Sequence, residues 1–517
     1  MPPTSEAVPV TIWAPTLGLY SDTSNTLIPD RACSACSNVI GYEGKLRPRP
    51  GFTATLSTLG ANLSAYHFSR NESLAGTLTR FALSYNTGTN AVKIWERVGA
   101  AWTDRTGAAV LTGSETIHPT SCNFKGTTYF TTGNDILQYW TVGANTADVT
   151  NGTAALLPFP DPRIVLAWDS RLWNFNTEDG SGNRIPYRAA WSDYLLDNVW
   201  RGGTGGGSSG FQDLVDGSTD DTEPILAAMD TLDTLYAFKA NTIYAISNVG
   251  YPKYYEGRKV VRGIGCVSMG TLRRFREALI FLGDDNVYLM ENGQQPRPIA
   301  DRIRTRLKAV VATANLERSV GIVDRQNLLY YLFLPKVSTT TMITLFIFSF
   351  RDGGTWWEGE IAGTDILPVC AYAYRESPFN DTLTIGSRDT KFYIIDSTAV
   401  ADAGTAFTAS WTSKWWDALQ IGGGQTRNEA LRIQKVAIHA QSGNVTPKIR
   451  TAPNIDAFET QETLPTVELG ATGDRYVSLR KTNRFTELNL TFDMTSTSTR
   501  ADVEGLTLHV LPRDGNR

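Results

Sequence analysis

The chain of 517 residues is poor in cysteine, and its five cysteines are scattered: Cys33, Cys36, Cys122, Cys266 and Cys370. An odd, widely spaced set is no disulfide framework, so the fold must be held by a core. Histidine is scarcer still, with His67, His118, His439 and His509 far apart. Structural zinc takes four ligands, usually as two close pairs. Cys33-x-x-Cys36 has no second pair, and the following NVIGYEGKL reads as strand and turn, not as the helix that a redox CxxC needs. We therefore expect free thiols, a reducing compartment, no metal and no cofactor. Long apolar runs are also missing: none reaches the roughly 18 residues of a membrane-spanning helix, and the longest, Met342 to Phe350, is strand-sized. Residues 1–10 show neither a basic nor an apolar leader region, so no signal peptide is expected. Nor is there a basic surplus, because 48 Lys and Arg stand against 52 Asp and Glu. Proteins that grip nucleic acid usually carry such a surplus, so DNA is expected to be passed or guided, not held.

Catalytic signatures are equally thin. No G-x-S-x-G, Walker A or dinucleotide fingerprint occurs. GGTGGGSSG (Gly202 to Gly210) is glycine-rich but lacks the P-loop lysine. The densest acidic run, DGSTDDTE (Asp216 to Glu223), fails as an EF-hand, since Asp221 stands where that loop needs Gly and Ala227 where it needs Glu. Four carboxylates, Asp216, Asp220, Asp221 and Glu223, repel one another and belong where water is plentiful. Glycoside hydrolysis needs only two suitably spaced carboxylates, which 52 acidic residues leave open. The expectation is a protein that is not an enzyme.

What the chain has is glycine (45), proline (23) and 10% aromatics, the makings of short strands and turns. Similar hairpins recur. RFALSYNTGTNAVKIWE, CNFKGTTYFTTGNDILQYW, LDTLYAFKANTIYAIS and EALIFLGDDNVYLMENG are each strand, turn, strand. Tyr85, Tyr129, Trp173, Tyr236, Phe281, Tyr331 and Leu383 mark successive blocks, separated by 44, 44, 63, 45, 50 and 52 residues. Steps of about 40 to 50 residues match four-stranded propeller blades. The expected fold is all-β: a β-propeller of about six to eight blades over 51–400, with a loop inserted near 200–224 and a helix near 299–315. A set of β-sandwiches with the same hairpins is the alternative. Alternating strands after residue 400 point to a separate C-terminal β-sandwich over 401–517. The proline-studded first 50 residues read as an extended arm.

LGLYSDTSNTLIPDRACSACSNVIGYEGKLRPRPGF resembles the opening of the β-propeller tail proteins of tailed bacteriophages. RLWNFN, RAAWSD, LYAFKANTIYAIS, GIGCVSMGTLRRFREALIFLGDDNVYLMENGQQPRPIADRIRTRL and FSFRDGGTWWE follow in that family's order, over roughly residues 10 to 400. The relatives are the hub or nozzle proteins of short-tailed phages, also called packaged-DNA stabilisation proteins. The resemblance implies a structural virion protein, assembled in the host cytoplasm into a ring, commonly a hexamer. That ring would sit below portal and adaptor, carry fibre or needle proteins, retain packaged DNA and guide its ejection. On a ring, Asp216, Asp220, Asp221 and Glu223 would line a DNA channel that repels phosphates if they face inward, and would form only a solvated loop if they face outward. Other tail-tube, baseplate or fibre-anchoring roles, a carbohydrate-binding or hydrolysing propeller, and a cellular scaffold are the alternatives.

Overall fold

The computed structural model describes residues 7–512 except 15, 25, 57, 60–62, 73–75, 77, 151–158, 201–206, 218–221, 232, 292, 338–343, 352, 365, 378–379, 418, 422–430, 441–442, 453–459, 464–466, 470–474, 479–486 and 496–501. Among the described residues, seven sheets follow one another between 51 and 406: the first six are built on four-stranded antiparallel meanders, the first with a small addition, and the seventh on three consecutive strands with further strands added. Their inner strands are Ser64–Glu72, Thr120–Phe124, Ile164–Trp168, Ala227–Thr231, Arg273–Phe275, Val320–Asp324 and Pro368–Ser377. Each inner strand lies against the next, and Pro368–Ser377 lies against Ser64–Glu72, so the series closes around an axis. The fold is a β-propeller. The seven residues that mark the sequence blocks all fall on the second strands of these sheets, one per sheet.

The hairpin in EALIFLGDDNVYLMENG shows why such strands read as unbroken apolar runs. Ala278–Leu282 and Val287–Glu291 are the second and third strands of the fifth sheet, in register Leu279↔Met290 and Phe281↔Tyr288. Side chains alternate across a strand. Leu279, Phe281 and Met290 pack with Tyr236 and Phe238 of the fourth sheet, the Phe238 and Phe281 rings 5.0 Å apart. Ile280, Leu282 and Leu289 face the other way, into the cluster that holds Tyr330 and Leu332 of the sixth sheet. A strand covered on both faces has no polar face to alternate with.

The seventh sheet takes its fourth strand from the other end of the chain. Gly51–Leu56 pairs antiparallel with Phe392–Asp396, placing Phe52 opposite Ile395. This also decides where the preceding residues go. Val8–Trp13 pairs with Val503–Pro512, Ala35–Ser37 with Thr408–Thr412, and the hairpin Val39–Tyr42/Lys45–Pro48 reaches Val503 through Leu46. Residues 1–50 read from sequence as an extended arm, but the described strands within them pair into the sheets of the C-terminal unit. Prolines mark extended backbone, but extended backbone also needs hydrogen-bond partners, and those lie from about 370 to about 500 residues away. The C-terminal unit has two sheets, and buried residues of both, Ile438 and Leu508 from one and Leu490 and Phe492 from the other, join one apolar cluster. That cluster continues into the fifth, sixth and seventh propeller sheets, so the two units share a core. Residues 401–406 belong to the seventh propeller sheet, not to the C-terminal unit.

The helix expected near 299–315 is broken in three: a 3-10 turn Asp301–Ile303, the α-helix Arg304–Val310 and a 3-10 segment Thr313–Arg318. Ile303 and Leu307 of the apolar stripe are buried, but the chain turns extended at Val311 (φ −100°, ψ 133°). Adjacent β-branched residues hold a helix weakly, and Val311 makes a bridge to Lys336 instead. Two arginines of this segment are ion-paired, Arg304 with Asp285 and Arg306 with Glu358, each at 2.8 Å, while Arg302 lies over the Tyr20 ring. Among the described residues, no helix is long and apolar enough to cross a membrane.

Candidate functional site: the joint and the axial cavity

The segment LRPRPGF forms the joint between the two units. Arg49 and Asp402 are both fully buried and pair through both guanidinium nitrogens, with Nη1–Oδ1 at 3.0 Å and Nη2–Oδ2 at 2.5 Å. Arg49 also donates to Asn38 Oδ1 (2.9 Å), the Pro50 carbonyl (2.9 Å) and the Glu360 carbonyl (2.8 Å), and its guanidinium lies 4.1 Å from the Phe407 ring. Asp402 accepts a further bond from the Ala362 amide at 2.8 Å. Asn38, at φ 57°, donates to the Thr408 carbonyl and accepts from the Glu360 amide. One buried cation thus binds the N-terminal segment, the sixth sheet and the seventh sheet together. Gly51 has no room for a side chain, since a Cβ would lie 2.2 Å from the Ala401 carbonyl oxygen. Phe52 fills the core beside Phe333, with ring centres 6.1 Å apart.

Cys33 and Cys36 lie beside this joint, both buried and unbridged. Burial, and then the hydrogen bond and charge of Cys36, hold the Cys33 thiol well above its usual range. The Glu358 amide donates to Cys36 Sγ at 3.3 Å. The protonated, enclosed Cys33 thiol is a packing group.

A cavity of about 360 Å³ runs along the propeller axis. Inner strands supply its walls: His67 from the first sheet, Ser121 from the second, Asp230 from the fourth, Arg273 from the fifth, Val323 from the sixth and Cys370 from the seventh. His67 Nε2 lies 2.9 Å from Ser121 Oγ. His118 Nε2 lies 2.9 Å from the Glu317 carbonyl oxygen and 3.1 Å from Ser268 Oγ. Burial, then the charge of Arg273 and then His118, push His67 down to about 3, and burial first of all pushes His118 down to about 4. Both rings are therefore neutral at pH 7. At the end where inner strands begin, Glu115 holds Arg318 at 2.7 Å and Arg388 at 2.6 Å, tying the first and seventh sheets. At the other end Arg274 pairs with Asp230 at 2.9 Å, beside Arg276 and Arg325.

These buried histidines give a pH dependence. In the unfolded chain each would titrate near 6.5. Between there and about pH 4 the unfolded state binds more protons than the folded state, so stability must fall as pH falls through that window. We predict that urea midpoints decline from pH 6.5 to 4.5, and that a His67→Gln, His118→Gln double variant shows a shallower decline. An unchanged slope would place the effect elsewhere.

The acidic run read as a projecting cluster is only partly described. Asp220 and Asp221 lie outside the described residues. Asp216 pairs with Lys259 at 2.5 Å and Arg262 at 3.1 Å, and Glu223 accepts from the Asn241 amide and side chain at 3.2 and 2.8 Å. Lys259 and Arg262 are on Tyr254–Arg262, the outer strand of the fourth sheet, while Gly210–Asp213 is the outer strand of the third. Asp216 is thus held against the outer strand of the fourth sheet, and Glu223 against the turn between that sheet's second and third strands. Counter-charges some 40 residues downstream relieve the repulsion that spacing alone suggested.

One carboxylate pair stands out. Asp161 is raised to about 6, by burial first and then by the charge and hydrogen bond of Glu178, which itself bonds Arg184 at 3.1 Å. Carboxyls in hydrogen-bond contact are closer than the ~5 Å or more of glycosidase pairs. Sequence reasoning missed this pair, the Arg49–Asp402 joint and Arg273. The RPGF segment held a clue to Arg49, but no local signal marks Asp402.

No protein-family model matches this sequence, and no curated protein matches it. Among solved structures, the chain is similar to BBS1N in complex with ARL6DN (10% identity, TM-score 0.38, covering 69% of this chain and 99% of that one). It is also similar to apo AztD from Citrobacter koseri (14%, TM-score 0.36, 70% and 91%). A third is the α-L-arabinanase of Penicillium chrysogenum complexed with arabinobiose (12%, TM-score 0.31, 68% and 98%).

Proposed function

We propose that the chain is a structural subunit of a phage tail, a nozzle or hub protein that forms a ring, commonly of six, below portal and adaptor. The observation that carries this reading is the ordered run of segments resembling those proteins, from LGLYSDTSN to FSFRDGGTWWE. The joint supports it: Arg49 is buried between the units and Val8–Trp13 pairs with Val503–Pro512, so the two units are held together, as a subunit of a ring under tension requires. In this role the protein performs no catalysis, contacts fibre or needle proteins, and lets DNA pass without sequence-specific binding. A channel-lining role for Asp216, Asp220, Asp221 and Glu223 then requires the flank of the third and fourth sheets to face the ring's axis.

The test is assembly and location. The purified full chain, alone or mixed with candidate portal and adaptor proteins from the same genome, should form closed rings by mass photometry and electron microscopy. Antibodies to it should label one vertex of intact particles. A chain that stays monomeric with those proteins and is absent from particles would overturn the reading.

A further inference from the structure

Arg273 is the most exceptional charge in the molecule. It lies deep in the propeller, half-buried, and burial draws its guanidinium below the usual range. Its acceptors are all backbone carbonyls: Leu272 at 2.7 Å, Ala371 at 3.1 Å and Met269 at 3.5 Å. Among the described residues no carboxylate pairs with it. A half-buried cation without a counter-charge carries a desolvation penalty, and neutral dipoles offset it only in part. The open side of Arg273 is the axial cavity.

The cavity is chemically suited to an anion. Its walls carry Arg273, Arg274 and Arg325 against one carboxylate, Asp230, which Arg274 already engages. The two histidines add no charge at neutral pH but bring polar nitrogen, and Ser121 adds a hydroxyl beside His67. At about 360 Å³ the space is near the lower end of ligand pockets, room for a small polar molecule. Arg325 at the mouth and Arg273 inside form a path of rising positive potential for an entering anion.

We propose that the axial cavity binds a small multivalent oxyanion, phosphate or a di- or tricarboxylate, with Arg273 as its main ligand. The planar guanidinium presents donors in the fork geometry that both oxyanions accept. This inference stands apart from the tail assignment, since it rests on the cavity alone.

The experiment is calorimetric titration of the full chain with phosphate and, separately, citrate, at constant ionic strength against a chloride control. Wild type should bind one of them saturably, and which one identifies the class. Arg273→Gln should weaken that binding at least tenfold. Ala373→Phe, which fills the cavity from an exposed wall position and leaves Arg273 in place, should do the same. Arg97→Gln, outside the cavity, should leave it unchanged. If Arg273→Gln does not fold, Ala373→Phe decides. Absence of saturable binding in wild type, or undiminished affinity in the cavity variants, overturns the proposal.

Discussion

Replacing Arg49 with alanine is expected to destabilise the protein by about 3–5 kcal/mol, the range for breaking a buried ion pair from one side. The size follows from what remains. Asp402 would stay at zero exposure with one amide partner, Ala362, and without its cation. Asn38 Oδ1 and the Pro50 and Glu360 carbonyls would each lose a donor. Pairing Arg49→Met with Asp402→Leu removes both charges at once and should cost less than either single change, because no ion is then left stranded. Urea midpoints followed by tryptophan fluorescence measure all of this. Limited proteolysis adds a second readout: loosening the joint should speed cleavage around residues 397–407 before the propeller itself is cut. A loss below about 1 kcal/mol for Arg49→Ala, typical of an exposed pair, would show that water reaches the joint.

The second large effect is expected at Phe281. This ring has no solvent exposure and stacks between the fourth and fifth sheets against Phe238 and Tyr288. Phe281→Ala should cost about 3–5 kcal/mol, the transfer term plus a cavity that two rigid sheets cannot close. Phe281→Leu should cost clearly less, since it keeps most of the apolar volume. Because the ring faces only one neighbour, hydrogen exchange should speed up in the fourth and fifth sheets and stay near wild type in the first and second. Uniform acceleration would mean that the propeller opens as a single unit.

Much of the propeller was legible in the sequence. Each of the first six sheets is a local object of consecutive strands, and aromatic or apolar markers recur every 44 to 63 residues. The spacing from Tyr85 to Leu383 was therefore readable, and all seven markers share one strand position. Local polarity could not say whether a hairpin supplied inner or middle strands, because strands covered on both faces look alike. The helix was overextended for a related reason: the stripe from Ile299 to Ala314 keeps helical spacing, yet Val311 finds a strand partner in Lys336.

The composition and hairpin rhythm by themselves determined an all-β chain with a buried, repeating core and scattered free thiols. Only the tertiary structure decided how the ends are used. Gly51–Leu56 completes the seventh sheet, and the strands before it join partners near residues 408–412 and 503–512. The same holds for each charged group that matters. Arg49 meets Asp402, Asp216 meets Lys259, and Arg273 donates to the Ala371 carbonyl across the axis. Hydrophobic periodicity is written in neighbouring residues and survives in one dimension. Pairing across hundreds of residues is selected by shape and by the need to satisfy buried polar groups, and it takes the folded chain to bring the partners together.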